Sequence, residues 1–470
     1  MEFLFIELNK KSTTPLYEQI YEKIKREIIS KRISPSTKLP SKRKLADFLQ
    51  VSQTTIELAY NQLIDEGYID SIPRKGFYVE EIDELLLPVQ PAEIKPSTTT
   101  FTHNYSLDFS PGAIDTEHFP FSTWKRYTKD IVSKEHADLL QLGHPHGDLE
   151  LRNEIAQYVY QSRGVVCSPE QIIIGSGTEQ LIPLIIEILG KQVIFGIENP
   201  GYLISHPIFI NGRQPMKEID VDQEGIKVEQ LQEQEVDIAF VTPSHQFPTG
   251  TVMSASRRVH LLNWASEKNN RYIIEDDYDS EFRYSGKPIP ALKSLDQQDK
   301  VIYLSTFSKS FIPSLRIAYM VLPDPLLKTY AEAFIHYSAT VPRFDQQVVA
   351  NFMKDGHFSK HLNRMRNVYR RKFDLVTATL KEYRERISYS GERAGMHLIL
   401  TFNSLYTEEE LMNKAKNNGI QIFPLSRYQK NEESTSSHQF ILGFGNIPLE
   451  KIPTAIHRLF DTWDLKKPVN

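Results

Sequence analysis

The apolar run Val301-Ile-Tyr-Leu304 stops abruptly in Ser305-Thr-Phe-Ser-Lys-Ser310, a string of hydroxyls around one lysine, Lys309. A short apolar run bounded by polar residues reads as a buried strand. A lysine just beyond it stands at the mouth of a sheet, with Arg316 close behind in the chain. Thr306, Ser308 and Arg316 are of the types that hold a dianion, beside an amine able to form a Schiff base. The plain alternative is a surface loop rich in serine and lysine.

From Asp108 onward, helical stretches alternate with apolar strand-like ones, which argues an α/β region with a mostly parallel sheet. Leu149 to Tyr160 reads as a helix, and Gln171-Ile-Ile-Ile174 as a buried strand. The small-residue turn Gly175-Ser-Gly-Thr-Glu-Gln180 then opens another helix, where amides and dipole suit a phosphate. Glu198-Asn-Pro-Gly-Tyr202 presents a ring that either stacks on a cofactor or packs in a turn. Arg271-Tyr-Ile-Ile-Glu-Asp-Asp-Tyr-Asp279 is a strand that ends in acids. A buried Asp there is costly unless paired. The pyridinium nitrogen of pyridoxal phosphate is such a partner. Glu275, Asp276, Asp277 and Asp279 could instead ligate Mg²⁺, and Asp277 and Asp279 could simply be solvated.

The first eighty residues read differently. Leu16, Ile20, Ile24 and Ile28 recur every fourth residue, one face of a helix that Pro35 follows. Ser41 caps a second helix that runs to Leu49, and Ser52 caps a third, Gln53 to Glu66, with Ile56, Tyr60 and Leu63 inward. Tyr68 to Val79 reads as two short strands around Pro73–Gly76. Two short helices, a tight connection and a third helix with a polar front make a helix-turn-helix, here with a wing. Between Lys10 and Lys44 stand eleven Lys and Arg against three Glu, although the whole chain carries a net charge of −5. That local basicity suits a nucleic-acid contact, or a solvated helix face.

Glu81 to about His103 is proline-rich and aperiodic, a linker in which Leu85, Leu86 and Leu87 could dock on a neighbouring domain. The expected domains are therefore 1–80, a linker 81–104, and 105–470. The single cysteine, Cys167, excludes an internal disulfide framework and fits a reducing cytosol. The first residues lack a basic leader, and Leu181–Leu189, broken by Glu187, is too short to span a bilayer, so a cytoplasmic protein without membrane contact is expected.

The winged-helix region closely resembles the GntR family: Leu39-Pro-Ser, the basic Lys42 and Arg43, Leu45-Ala46, Val51-Ser52, and a glycine before an aromatic, Gly76-Phe77, all follow its pattern. The resemblance implies that Lys42 and Arg43 contact phosphates and that Gln53, Thr54 and Thr55 face bases. Lys75 and Gly76 would lie in the wing at the minor groove. Many relatives carry Arg, which favours guanine, where this chain has Gln53, which pairs well with adenine; Glu57 could accept from cytosine.

The large region resembles fold-type I pyridoxal-phosphate enzymes of the aspartate aminotransferase class. That resemblance implies Lys309 as the lysine of the internal aldimine, Asp276 as partner of the pyridine nitrogen, Tyr278 near the phenolic oxygen and Tyr202 stacked on the ring. Gly177, Thr178 and Glu179 would join Thr306, Ser308 and Arg316 around the phosphate. In Thr242-Pro-Ser-His-Gln-Phe-Pro-Thr-Gly250, Phe247 replaces the usual asparagine, with His245 or Gln246 as substitutes; near His144 the family often has a tyrosine. The order of winged helix, linker and aminotransferase-like region resembles the MocR/GabR subfamily of GntR regulators. It implies a homodimeric regulator that binds a double-stranded DNA operator. An amine or amino-acid effector would exchange with Lys309 to give an external aldimine, with Arg427 holding a carboxylate. Ile204 stands where the GABA-responsive member has a second arginine, which argues against GABA. The alternatives are an aminotransferase with an appended DNA-binding domain, and a DNA-binding module whose large domain is only a scaffold; turnover, if any, is expected to be weak.

Overall fold

The computed structural model describes residues 8–10, 12–81, 105–190, 192–202, 205–284, 289–392, 395–429 and 438–465. From residue 82 on, the expected linker lies outside the described residues, as do Leu85–Leu87 and Ile204. Two compact units are present, Met1–Thr102 and His103–Asn470.

In the first unit, α1 (Leu16–Ile29), α2 (Lys42–Leu49) and α3 (Gln53–Asp65) precede the antiparallel pair β1 (Ile69–Ile72) and β2 (Gly76–Val79). The caps are those the sequence offers: Ser41 accepts from the Lys44 amide at 3.3 Å and Ser52 from the Thr55 amide at 3.1 Å. Gln50 in the left-handed conformation ends α2 and makes the tight turn. Ile20, Ile24, Leu45, Ile56, Tyr60 and Leu63 close one core, each large side chain contributing roughly 1.5–3 kcal/mol by burial. The Tyr60 hydroxyl donates to the Pro40 carbonyl at 3.0 Å, so the polar end of this core tyrosine is satisfied.

The second unit contains β3 (Leu107–Asp108), β4 (Ile172–Gly175), β5 (Phe195–Asn199), β6 (Met216–Asp222), β7 (Gly225–Ile226), β8 (Ile238–Val241), β9 (Tyr272–Asp277), β10 (Val301–Thr306) and β11 (Ala318–Val321). It continues with β12 (Ile387–Ser390), β13 (His397–Phe402), β14 (Ile420–Gln421), β15 (Phe423–Pro424) and β16 (His438–Gly443). The central sheet runs β4-β11-β10-β9-β8-β5-β6-β7. The pairs from β10 to β6 are parallel, and antiparallel pairs flank them. Its strands are apolar on both faces, as helices on both sides require. A smaller antiparallel sheet, β12-β13-β16-β15, packs with the helices His357–Lys381, Glu408–Asn417 and Ile452–Thr462 around Trp463.

The segment from β3 to Asp115 crosses between these layers. β3 pairs with β14, and the Asp115 carboxylate meets Lys372 Nζ at 2.7 Å, where that ammonium also donates to Gly445 O at 2.7 Å. Lys372 is 1% exposed. Removing one partner of a buried pair leaves a charge without compensation. Lys372→Met should therefore lower the stability of the large unit by about 3–5 kcal/mol in urea unfolding; a loss below about 1 kcal/mol would show that the clip adds nothing.

Candidate functional site

β9 and β10 run parallel with Asp276 beside Leu304 and Asp277 beside Ser305. Both strands end at one edge of the sheet, so Tyr278–Asp279 and the turn carrying Lys309 gather there, the usual place for ligands in such sheets. Alternation along β9 sorts the acids. Glu275 accepts from the Leu292 and Lys293 amides, both at 2.8 Å. Asp277 accepts from Arg163 Nε at 2.7 Å and from the Tyr303 hydroxyl at 2.6 Å. Asp276 turns to the other face. Its Oδ1 has no partner among the described residues, and burial, aided by the nearby Asp277, Glu198 and Asp279, pushes its carboxyl up to about 7.

Asp277 and Asp279 are thus buried and paired rather than solvated, Asp279 through His245. The four acids diverge, and no group of three or more metal-ligating side chains gathers among the described residues, which removes the Mg²⁺ reading.

Lys309 lies in the single helical turn Phe307–Ser310, capped by Thr306, whose hydroxyl oxygen accepts from the Ser308 amide at 3.1 Å. Thr306 Oγ1 also lies 2.9 Å from Ser308 Oγ and 3.3 Å from Ile317 O, which ties the turn to the residue after Arg316. Lys309 Nζ donates to Pro111 O at 2.9 Å. Although the side chain is partly exposed, the surrounding protein pushes its ammonium down to about 8, against the pull of Asp279.

A cradle forms where the helix Thr178–Leu189 begins. Gly177 has φ 147°, and a Cβ there would lie 2.4 Å from Arg316 Nη2 and 2.5 Å from Glu179 Oε2. Only glycine allows the guanidinium that close to the first amides of the helix. Arg316 pairs with the Glu179 carboxylate. Gly177, Thr178, Glu179 and Arg316 are therefore brought together as expected, with Thr306 and Ser308 on the adjoining turn.

The loop 242–250 is fastened from below. Arg163 donates to Ser244 Oγ, and Arg258 Nη2 to Pro243 O at 3.0 Å. Gln246 Nε2 is engaged by Pro200 O at 2.8 Å and Phe247 O at 2.7 Å, and its Oε1 by the Thr249 hydroxyl at 2.6 Å. Its amide is thus held within the loop, which leaves His245 as the candidate substitute for the missing asparagine. His245 Nδ1 lies 3.0 Å from the Tyr278 hydroxyl. Phe247 is buried and sets its ring edge-on to Tyr202 at 5.6 Å, Tyr278 at 6.1 Å and Tyr428 at 5.2 Å. Glu198 went unread as a site group: it accepts from the Thr242 hydroxyl at 2.6 Å, and burial pushes it up to about 7. Pro111, His397 and the contact of Asp279 with His245 also went unread; no local pattern marks them, since each depends on segments remote in the chain.

Arg427 is exposed, its guanidinium 5.1 Å from the Phe423 ring centroid; its neighbour Tyr428 borders the site through Phe247. In the first unit Arg43, Gln53, Thr54 and Lys75 are exposed, and Gly76 turns the wing at φ 113°. Thr55 is half-buried with its hydroxyl 2.7 Å from Ser52 Oγ, so it joins the cap of α3. Lys42 donates to Glu57 at 2.6 Å and stands 5.6 Å from the Phe77 ring centroid.

Residues 16–79 match the family described as bacterial regulatory proteins, gntR family, and residues 106–437 match aminotransferase class I and II. The uncharacterized HTH-type transcriptional regulator YdeL of Bacillus subtilis is 41% identical over 97% of this chain and 99% of its own. The probable rhizopine catabolism regulatory protein MocR of Rhizobium meliloti is 30% identical, covering 96% and 94%. The chain belongs to the MocR/GabR subfamily of GntR-family regulators. Kynurenine aminotransferase of Pyrococcus horikoshii superimposes on this MocR/GabR-type chain with a TM-score of 0.67 at 28% identity, over 77% of this chain and 91% of the enzyme. The large domain has the fold-type I architecture, and its cofactor is pyridoxal 5′-phosphate. The residues present fit that group. Asp276 offers an unfilled buried oxygen for a ring N–H, the Gly177–Arg316 cradle suits a phosphate, and Lys309 supplies an amine. No described helix is long and apolar enough to cross a membrane.

These acids make a pH prediction. Asp276 has its folded-state value raised from 3.8 to about 7, so folding favours its protonated form, and apoprotein stability falls as pH climbs through that window. Asp276→Asn should match wild type near pH 4 and exceed it by about 2–4 kcal/mol at about pH 8 in urea unfolding of the apoprotein. A difference that does not grow with pH would show that Asp276 is not held as a buried, unpartnered acid.

Proposed function

We propose that this protein is a cytoplasmic transcriptional regulator whose DNA affinity answers to a small amine or amino acid captured at the Lys309 site. The observation that carries this reading is a depressed lysine amine set at one sheet edge with a buried, unpartnered acid, on the same chain as a winged helix. Bound pyridoxal phosphate supplies a carbonyl carbon that holds one primary amine covalently at a time. Lys309 is the resident amine. The Pro111 carbonyl gives the Lys309 amine a hydrogen-bond acceptor whenever it is not bound to the cofactor, and burial favours its neutral form. Asp276 keeps the ring nitrogen protonated. The amides of Gly177, Thr178 and Glu179, with Thr306, Ser308 and Arg316, would hold the phosphate. Tyr202 would pack against the cofactor ring, and Arg427, on the bordering segment, would take an effector carboxylate.

The regulator acts as a homodimer, so that two winged helices meet a two-fold operator. The apolar side chains Phe121, Val132, Leu140 and Leu142, all well exposed on one chain, support a covered face. On DNA, Lys42 and Arg43 meet phosphates, Gln53, Thr54 and Thr55 at the start of α3 face bases, and Lys75 and Gly76 lie in the wing at the minor groove.

Arg43→Ala should weaken binding to every sequence and lower the salt slope, whereas Gln53→Ala should relax preference at one base pair by roughly 1–3 kcal/mol. Equal sequence profiles and salt slopes in the two variants would refute these roles.

Lys309→Ala should keep operator affinity but lose covalent cofactor attachment and all response to amines, read by absorbance and DNA binding together. A variant that still changes its DNA affinity when an amine is added would refute capture at this lysine. Steady turnover of wild type with a keto-acid acceptor would instead favour the aminotransferase reading.

A further inference from the structure

One ring nitrogen at this edge has two polar neighbours. His245 Nδ1 lies 2.8 Å from Asp279 Oδ2 and 3.0 Å from the Tyr278 hydroxyl. His245 is 1% exposed and Asp279 2%. The His245 and Tyr278 rings stack, tilted by 28°. A Cβ at Gly395 would lie 2.0 Å from His245 Cε1 and 2.7 Å from Asp279 Oδ2, so the backbone closes over the pair and fixes the ring.

A neutral imidazole carries its hydrogen on one nitrogen only. With Nδ1 bare, its lone pair faces the Asp279 carboxylate, and Tyr278 donates its hydroxyl hydrogen to it. With the hydrogen on Nδ1, it is donated to Asp279, and the Tyr278 hydrogen has no acceptor there. Among the described residues, the other titratable groups that interact with the pair are Asp276, Tyr284, Lys309 and His397. His397 donates through Nε2–H to Pro248 O at 3.0 Å, and burial pushes it down to about 3, so it stays neutral. Tyr284 donates to Gly395 O. Neither competes for His245 Nδ1.

We propose that Asp279 is a positioning residue: it keeps the His245 hydrogen on Nδ1 and so turns the Tyr278 hydroxyl hydrogen away from His245 and toward the phenolic oxygen of the cofactor. The inference rests on the reading of this edge as the cofactor site. It assigns the contact of the missing asparagine to a chain of three side chains rather than to one replacement.

Two measurements test it. Nitrogen-15 NMR of histidine-labelled apoprotein, with His245 assigned by His245→Gln, should show hydrogen on Nδ1 in wild type. Asp279→Asn should move it to Nε2, as amides do in the same position beside other histidines. In the loaded protein, a hydrogen bond from Tyr278 draws charge from the phenolic oxygen, so its loss should raise the pH midpoint of the cofactor band by about one unit or more. Asp279→Asn and Tyr278→Phe should raise it equally, the double variant no further, and Asp279→Glu should restore it. Wild type with hydrogen on Nε2, or an Asp279→Asn midpoint equal to wild type, would overturn the proposal. Failure of wild type to take up pyridoxal phosphate would overturn the reading of the site instead, and the apoprotein NMR distinguishes the two.

Discussion

A carboxylate buried without a cation or hydrogen-bond donor is among the most costly groups a fold can hold. The large domain places several at one sheet edge, and the surrounding architecture gives each of them but Asp276 at least one hydrogen-bonded oxygen. Glu275 is capped by two backbone amides and Asp277 by Arg163 and Tyr303. Asp279 is held by His245. Asp277 and Asp279 each keep one oxygen unmet, but Asp276, among the described residues, meets no donor at all. The protein retains this expense where a ligand with a ring N–H can remove it, a common pattern for buried acids at functional sites.

The neighbours of Asp276 follow from that constraint. Parallel pairing of β9 and β10 brings the lysine turn to the same edge as the acids. Arg163 serves both the sheet and the loop 242–250, through Asp277 and Ser244, so the acids and the loop are positioned by one buried guanidinium. The segment carrying Pro111 is clamped at one end by β14 and at the other by Lys372, and it meets the lysine amine between those anchors. Each contact joins segments far apart in sequence, so the geometry of the site depends on the whole large domain rather than on any one loop.

Much of this was legible in the sequence where the signal is local. The periodicity of Ile20, Ile24 and Ile28, the caps Ser41 and Ser52, and the apolar runs ending at Gly175 and Thr306 each specify an element by themselves. The acids of β9 could be named as a group but not sorted. Solvation of Asp277 and Asp279, or a shared metal, stays open on the sequence alone, because nothing in it places Arg163 and His245 against them. Gln246 looked free to replace an asparagine because a sequence does not show that its amide closes its own loop. Position marks Thr55 and Lys42 as DNA-facing, and the structure adds that the Thr55 hydroxyl joins the cap and that Lys42 pairs with Glu57. Remote partners sort the acids, and side-chain choices within a loop or cap settle Gln246 and Thr55; spacing alone records neither.

The most direct test of the site is the state of the cofactor's ring nitrogen. Pyridoxal phosphate labelled with nitrogen-15 in the ring can be loaded into the protein and followed by NMR between about pH 6 and pH 9. If Asp276 is the acid that the fold leaves unpaired for this ligand, the nitrogen should remain protonated across that range in wild type and lose its hydrogen at neutral pH in Asp276→Asn. A bare ring nitrogen in the wild-type protein at neutral pH would contradict that assignment.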